Sequence, residues 1–213
     1  SDAIGGVMAF QTLEPSFSSQ NKWSGTFSSR FGSANNEFTG HAHVAFESKK
    51  WAFLTSLTRF DYGDLKMGGF GPAEYLRPFY LGIQDGVDSP LQNPDPKVQI
   101  TSGYDQFNIM QKIKLKASEQ TELSYGFHYS QTGYVPRYDR LIESGSSSLR
   151  FAVWSYGPQI WMMNHFGIMH RSESKLFDQV DITIAHQYFE ESRIDRSIGN
   201  INQNPRTEHV QAY

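Results

Sequence analysis

Histidine is the residue type in this chain best equipped for chemistry. His41 and His43 stand two apart, so in an extended segment both imidazoles share one face; His128 occupies the polar face of another segment. Such rings can ligate a metal or a haem iron, or they can hydrogen-bond to a neighbouring strand. The second role is the expected one, with no metal site. His165, His170 and His186 fall on or near aromatic faces, which suits an interfacial place rather than ligation. Recognition is the other chemistry on offer. Tyr75, Arg77 and Tyr80 lie together in one segment, and Arg137, Tyr138 and Arg140 follow Tyr134 in another. Arginine pairs bidentately with carboxylates, and tyrosine offers rigid contact area at small entropic cost. These residues are therefore candidates to bind an anionic, partly aromatic ligand. The competing role for Arg137 and Arg140 is to hold their own loop in place with Asp139. Gly-x-Ser-x-Gly, Gly-x-x-x-x-Gly-Lys and His-Glu-x-x-His are all absent, so no catalytic residue, no cofactor and no enzymatic activity are expected.

Composition narrows the class further. The chain has 213 residues, 19 Lys+Arg against 22 Asp+Glu, a net charge of -3 and no Cys. An acidic balance disfavours a nucleic-acid partner, which would select a positive excess. Aromatic residues make up 15%, far too many for a disordered chain. Without cysteine there is no disulfide scaffold and no thiolate metal site. The longest stretch free of Asp, Glu, Lys and Arg, Phe151 to His170, contains Pro158, Asn164 and several other polar groups, so it is not a membrane-spanning helix.

The elements that must carry these residues alternate with period 2. Alternation runs through Trp23–Phe31, Phe38–Phe46, Trp51–Leu57, Phe107–Leu115, Leu123–Tyr129, Gln159–His170 and Val180–Tyr188, and a last strand begins near Thr207. One face of each is apolar with aromatics near the ends; the other carries Ser, Thr, Asn, Lys and His. Most of these strands exceed the ~5–6 residues usual in water-soluble proteins and match the ~9–11 needed to cross hydrocarbon. Short connections at Glu47–Lys50, Ala117–Gln120 and Arg171–Phe177 alternate with long ones at Phe60–Tyr104, Gln131–Pro158 and Ser192–Arg206. Tight turns on one side and long loops on the other mark outer-membrane barrels. Only Gly32–Asn36 is short where a long loop is due. The expected fold is all-β, an antiparallel transmembrane β-barrel meander of about eight strands, apolar side to lipid and polar side to a lumen. A soluble carbohydrate-binding β-sandwich would also alternate.

The opening Ser1-Asp2-Ala3-Ile4-Gly5-Gly6-Val7-Met8 resembles the end of the plug of TonB-dependent outer-membrane receptors. Later segments resemble Bacteroidetes-type members of that family: Lys50–Ser56, Tyr75–Pro78, Gly103–Gln106, Tyr125–Tyr129, Pro136–Arg140, Trp161–Asn164 and Phe189–Arg193. The resemblance implies that residues 1–13 form the last plug strand and 14–213 the first part of a 22-stranded barrel, so that the chain is a fragment. It implies a transporter in the cell outer membrane that takes up a scarce ligand, a ferric siderophore or a haem-type iron complex. Its partners would be the outer-membrane lipid, that iron-complex ligand and a TonB-type energy-transducing complex acting through the plug. His41, His43 and His128 would then face the lumen, and Tyr75, Arg77, Tyr80, Arg137, Tyr138 and Arg140 would lie in outer loops. A complete small eight-stranded barrel with a structural or adhesive role is the alternative.

Overall fold

The structure, a computed structural model, describes residues 8, 10–143 and 149–213. The Ile4–Val7 motif lies outside the described residues, and residues 10–13 are neither helix nor strand. Period-2 alternation gives each side-chain class its own face of an extended chain, and the described chain is accordingly all-β. Its strands are β1 (Lys22–Gly32), β2 (Glu37–Glu47), β3 (Trp51–Tyr62), β4 (Leu65–Lys66), β5 (Phe79–Gln84), β6 (Val87–Gln92), β7 (Val98–Gln99), β8 (Tyr104–Lys116), β9 (Thr121–Thr132), β10 (Val135–Pro136), β11 (Phe151–Arg171), β12 (Gln179–Ser197) and β13 (Asn204–Ala212). Among the described residues, helix is confined to one 3-10 turn, Ala73–Tyr75, and one α turn, Tyr138–Leu141. Among the described residues no helix is long and apolar enough to cross a membrane.

The long strands form one antiparallel sheet in the order β1-β2-β3-β8-β9-β11-β12-β13, with β10 added beside β11. Each long strand pairs with the next one in the chain. β1 and β13 do not pair with each other, so the sheet is open at both edges. The remaining pairs, β4 with β7 and β5 with β6, both lie between β3 and β8.

Register turns separate strand patterns into a continuous surface. Reading across the sheet, Trp23 faces Phe46, then Phe53, Ile113, Tyr125, Phe166 and Ile184 in turn. This apolar row crosses seven strands. No second sheet covers it among the described residues. Phe27 is 74% exposed, Ile184 68% and Val44 48%, while Ala52, Leu54 and Trp154 are buried. A water-soluble chain of this mass exposes about 10,000 Å²; this one exposes 14389 Å². A two-layer sandwich would have closed over that face.

The opposite face is polar and is covered in part by the leading segment. Pro15 is buried, Ser18 N–H donates to the Ser48 carbonyl, and Glu14 pairs with both Lys112 and Lys114 of β8.

Two expectations about elements need correction. The segment Phe60–Tyr104 is not structureless: β5 and β6 form a hairpin whose turn residues Asp85 and Gly86 both have positive φ (53° and 80°). Asp-Gly is the sequence signature of that two-residue turn. The strands β11 and β12 also run far beyond the expected Gln159–His170 and Val180–Tyr188, to 21 and 19 residues. Their extensions hold Glu190, Glu191, Arg193, Asp195 and Arg196, whose charges hide the alternation although pairing continues from Gln159–Glu191 to Phe151–Ser197.

Candidate functional site

The polar face collects histidines because register brings together side chains of equal parity. One row runs Thr26, His43, Ser56, Met110, His128, Met163; the next runs Ser28, His41, Thr58, Asn108, Ser130, Trp161. His41 Nδ1 shares a 2.8 Å hydrogen bond with Thr58 Oγ1, and His43 Nδ1 lies 3.5 Å from His41 Nε2. His128 stands three strand spacings from His43, about 14 Å at ~4.8 Å each, so these rings cannot share an ion. Among the described residues no three His, Asp or Glu side chains converge as a metal site requires.

His165 is the surprise on this face. It was expected on an aromatic face, but in β11 the aromatic neighbour Trp161 itself points to the polar side, so an aromatic residue does not mark the apolar face there. The His165 ring lies 5.9 Å from that of His128 and sits directly over Gly126, where a Cβ would collide with it. His170 and His186 keep to the apolar side, His170 hydrogen-bonded to Thr121 at 2.9 Å and His186 with its ring 5.0 Å from that of Tyr213.

A cavity of about 460 Å³ lies on the polar face between β2, β3, β8, β9 and β11. His41, His128, Asn108 and Trp161 line it, and Gln11–Leu13 of the leading segment form part of its wall. Lys112 is almost fully buried beside it; its ammonium donates to Glu14 and, at 2.7 Å, to Thr12 Oγ1.

A second cavity, about 680 Å³, lies between the loop that follows β3 and the loop that follows β9. Of the candidate ligand-binding residues, Arg77, Tyr80 and Tyr138 meet there. Arg77 Nη1 donates to the carbonyls of Glu74 (2.8 Å) and Leu76 (3.0 Å), which fixes the side chain against its own loop. Burial pushes the Tyr138 phenol above its ordinary range, and the neighbouring Arg77 works against that rise.

The other candidates stand elsewhere. Tyr75 is exposed in the 3-10 turn. Arg137 forks onto Asp139 (2.8 and 2.7 Å) and stacks over Trp154 (5.0 Å) and Tyr156 (5.7 Å). Arg140 pairs with Glu143 at 2.8 Å, and Glu143 also takes Arg150 at 3.0 Å.

The loop between β3 and β8 is pinned from two sides. Asp64 accepts the backbone N–H groups of Ser102 (2.7 Å) and Gly103 (2.9 Å), closing its base. The β5–β6 hairpin is tied to β12 by Asp88, which accepts both Arg196 Nη1 (2.6 Å) and Nη2 (2.8 Å). That fork holds the Asp88 carboxyl below its usual range, against the opposing effect of burial. Asn93, buried, donates to the carbonyls of Arg77 (2.8 Å) and Val98 (2.9 Å), and Asp95 N–H returns to Asn93 Oδ1, so Asn93-Pro94-Asp95-Pro96 is the rigid turn its prolines suggest.

Sequence reasoning missed Trp161, Lys112 and the apolar lining of the loop cavity. Lys112 sits in the run Lys112-Ile113-Lys114, and nothing in that spacing distinguishes the buried lysine from its neighbour. Comparison with known protein families, with curated proteins and with solved structures finds no match in any of the three.

Proposed function

We propose that this chain is part of the barrel of a TonB-dependent outer-membrane receptor that captures and imports a scarce ligand, an iron complex of the ferric siderophore or haem type. The observation that carries the reading is the apolar row across seven strands with no layer over it. Exposed apolar area on that scale is costly in water and neutral in hydrocarbon. Aromatic side chains near both ends of the face support it. Trp23, Phe46, Phe53 and Trp51 cluster beside the short turn after β2, and Phe31 pairs with Phe38 at the far end. The polar face fits a lumen, and the leading segment lying on it fits a chain leaving a plug.

The two unpaired edges favour part of a larger barrel over a complete eight-stranded one, because hydrocarbon leaves edge N–H and C=O groups unsatisfied. The missing second layer weighs against a sandwich. The capture half of the reading rests on the loop cavity. The apolar walls of the loop cavity around one guanidinium support a role in binding and passage.

Flotation tests the membrane half. After refolding with phospholipid vesicles, the chain should rise with the vesicles through a density gradient and resist extraction by alkaline carbonate. A protein that stays monomeric in plain buffer and remains at the bottom of the gradient overturns the reading. Growth of a deletion strain on single iron sources tests the ligand, and unchanged growth on all of them removes iron.

A further inference from the structure

We infer that the cavity between the two long loops binds an apolar monocarboxylate, with Arg77 as the anion-pairing residue. The inference rests on the ligand-capturing half of the proposal above, not on the iron complex named there, and states the chemistry that this cavity selects.

The volume, about 680 Å³, lies within the range of small-molecule sites. Its walls are apolar, with Phe79, Leu81, Ile100, Leu141 and Ile142 contributed by both loops. Arg77 is the one charged side chain in the lining. The other arginines of the two loops have carboxylates, Arg137 with Asp139 and Arg140 and Arg150 sharing Glu143, and Arg196 of β12 has Asp88. Among the described residues no carboxylate lies within ion-pair distance of Arg77, and its Nε, like those of Arg140 and Arg193 outside the cavity, is buried without an acceptor. A buried donor with no partner is costly and is ordinarily matched when the site is complete.

The chemistry of the occupant follows. Its charge must be negative, because the cavity presents a cation already oriented by the Glu74 and Leu76 carbonyls. It must be single, since a dianion would bring a second charge into apolar walls with nothing to pair it. The rest of the molecule must be apolar to replace water along Phe79, Leu81 and Ile142. Tyr138, which neighbours Arg77, and Tyr80 also line the cavity, and a carboxylate can accept from a phenol as well as from arginine.

The test is equilibrium dialysis of the whole chain with naphthoate and with naphthamide, its uncharged amide of the same shape. The expected result is saturable naphthoate binding, with the amide weaker by about tenfold or more, the worth of one charge-assisted hydrogen bond. R77Q should abolish the preference for the acid, and I142W, which fills the cavity from the other loop, should weaken both ligands. Equal binding of acid and amide, a preference that survives R77Q, or no binding of either overturns the inference. If R77Q disorders its loop, the acid–amide comparison on the unaltered chain and the I142W measurement still decide. Vesicle flotation uses no naphthoate, so a failure of the membrane reading and a failure of this one are separately visible.

Discussion

Single side chains here owe their roles to what register places opposite them. Gly126 is the sharpest case, for the His165 ring occupies the space a Cβ would need. Gly126→Ala should cost about 1–3 kcal/mol, the ordinary penalty for overpacking, as measured by equilibrium unfolding in detergent. Adding His165→Ala should recover most of the loss, which a backbone effect of the new methyl would not. Asp88 makes a pH prediction. Its carboxyl is held low by Arg196, so the anchor contributes above the unfolded value of about 3.9 and is lost as pH falls through the lower folded value. Protease sensitivity of the β5–β6 hairpin should therefore stay flat from neutrality down to about pH 4 and rise below it. Asp88→Asn should expose the hairpin at every pH, at a cost of about 1–2 kcal/mol for the lost charge-assisted fork.

Elements differ in how much their own residues decide. β1, β2, β8 and β9 follow from alternation because each face keeps its polarity with few breaks, Ser29, Gln111 and Met110 among them. The charged ends of β11 and β12 form strands by pairing with each other, an interaction between segments that no local pattern records. The leading segment is held by a contact nearly a hundred residues distant, Glu14 to Lys112 and Lys114. Glu14→Gln leaves Lys112 buried without its counter-charge. Since Glu14 is itself half exposed, the cost should be about 1 kcal/mol rather than that of a fully buried pair. It should appear as faster proteolysis of residues 10–20 with the sheet intact. Equal protection in the variant would show that Pro15 and the Ser18–Ser48 hydrogen bond hold the segment unaided.

At the scale of the molecule, the central question is which solvent meets the apolar face. Ile184 is the sixth residue of β12 on that face and is 68% exposed. On a water-exposed surface Ile184→Arg would change stability by no more than about 0.5 kcal/mol. Against lipid, an arginine there should cost more than about 1 kcal/mol, rising toward 2–4 with depth in the bilayer. Unfolding in phospholipid vesicles measures the difference, and a neutral result would place the face in water. Thr183, the next residue, points to the polar face, so Thr183→Arg should be tolerated and serves as the matched control.

By itself the sequence determined the β class, the antiparallel pairing of successive long strands and the side on which most strand residues fall, His165 and Trp161 of β11 excepted, because period 2 is a local property of an extended chain. Of the six loop residues it offered as candidates, Tyr75, Arg77, Tyr80, Arg137, Tyr138 and Arg140, the fold brings Arg77, Tyr80 and Tyr138 to one cavity. The sequence did not distinguish Arg77, whose Nε is buried without an acceptor, from Arg137, already paired and stacked, since that depends on which atoms from remote segments lie within about 3 Å of a guanidinium. Nor did it reveal the apolar row, the His165–Gly126 contact or the burial of Lys112. Those were decided by register between strands and by the leading segment crossing the polar face, which are relations among distant parts of the chain.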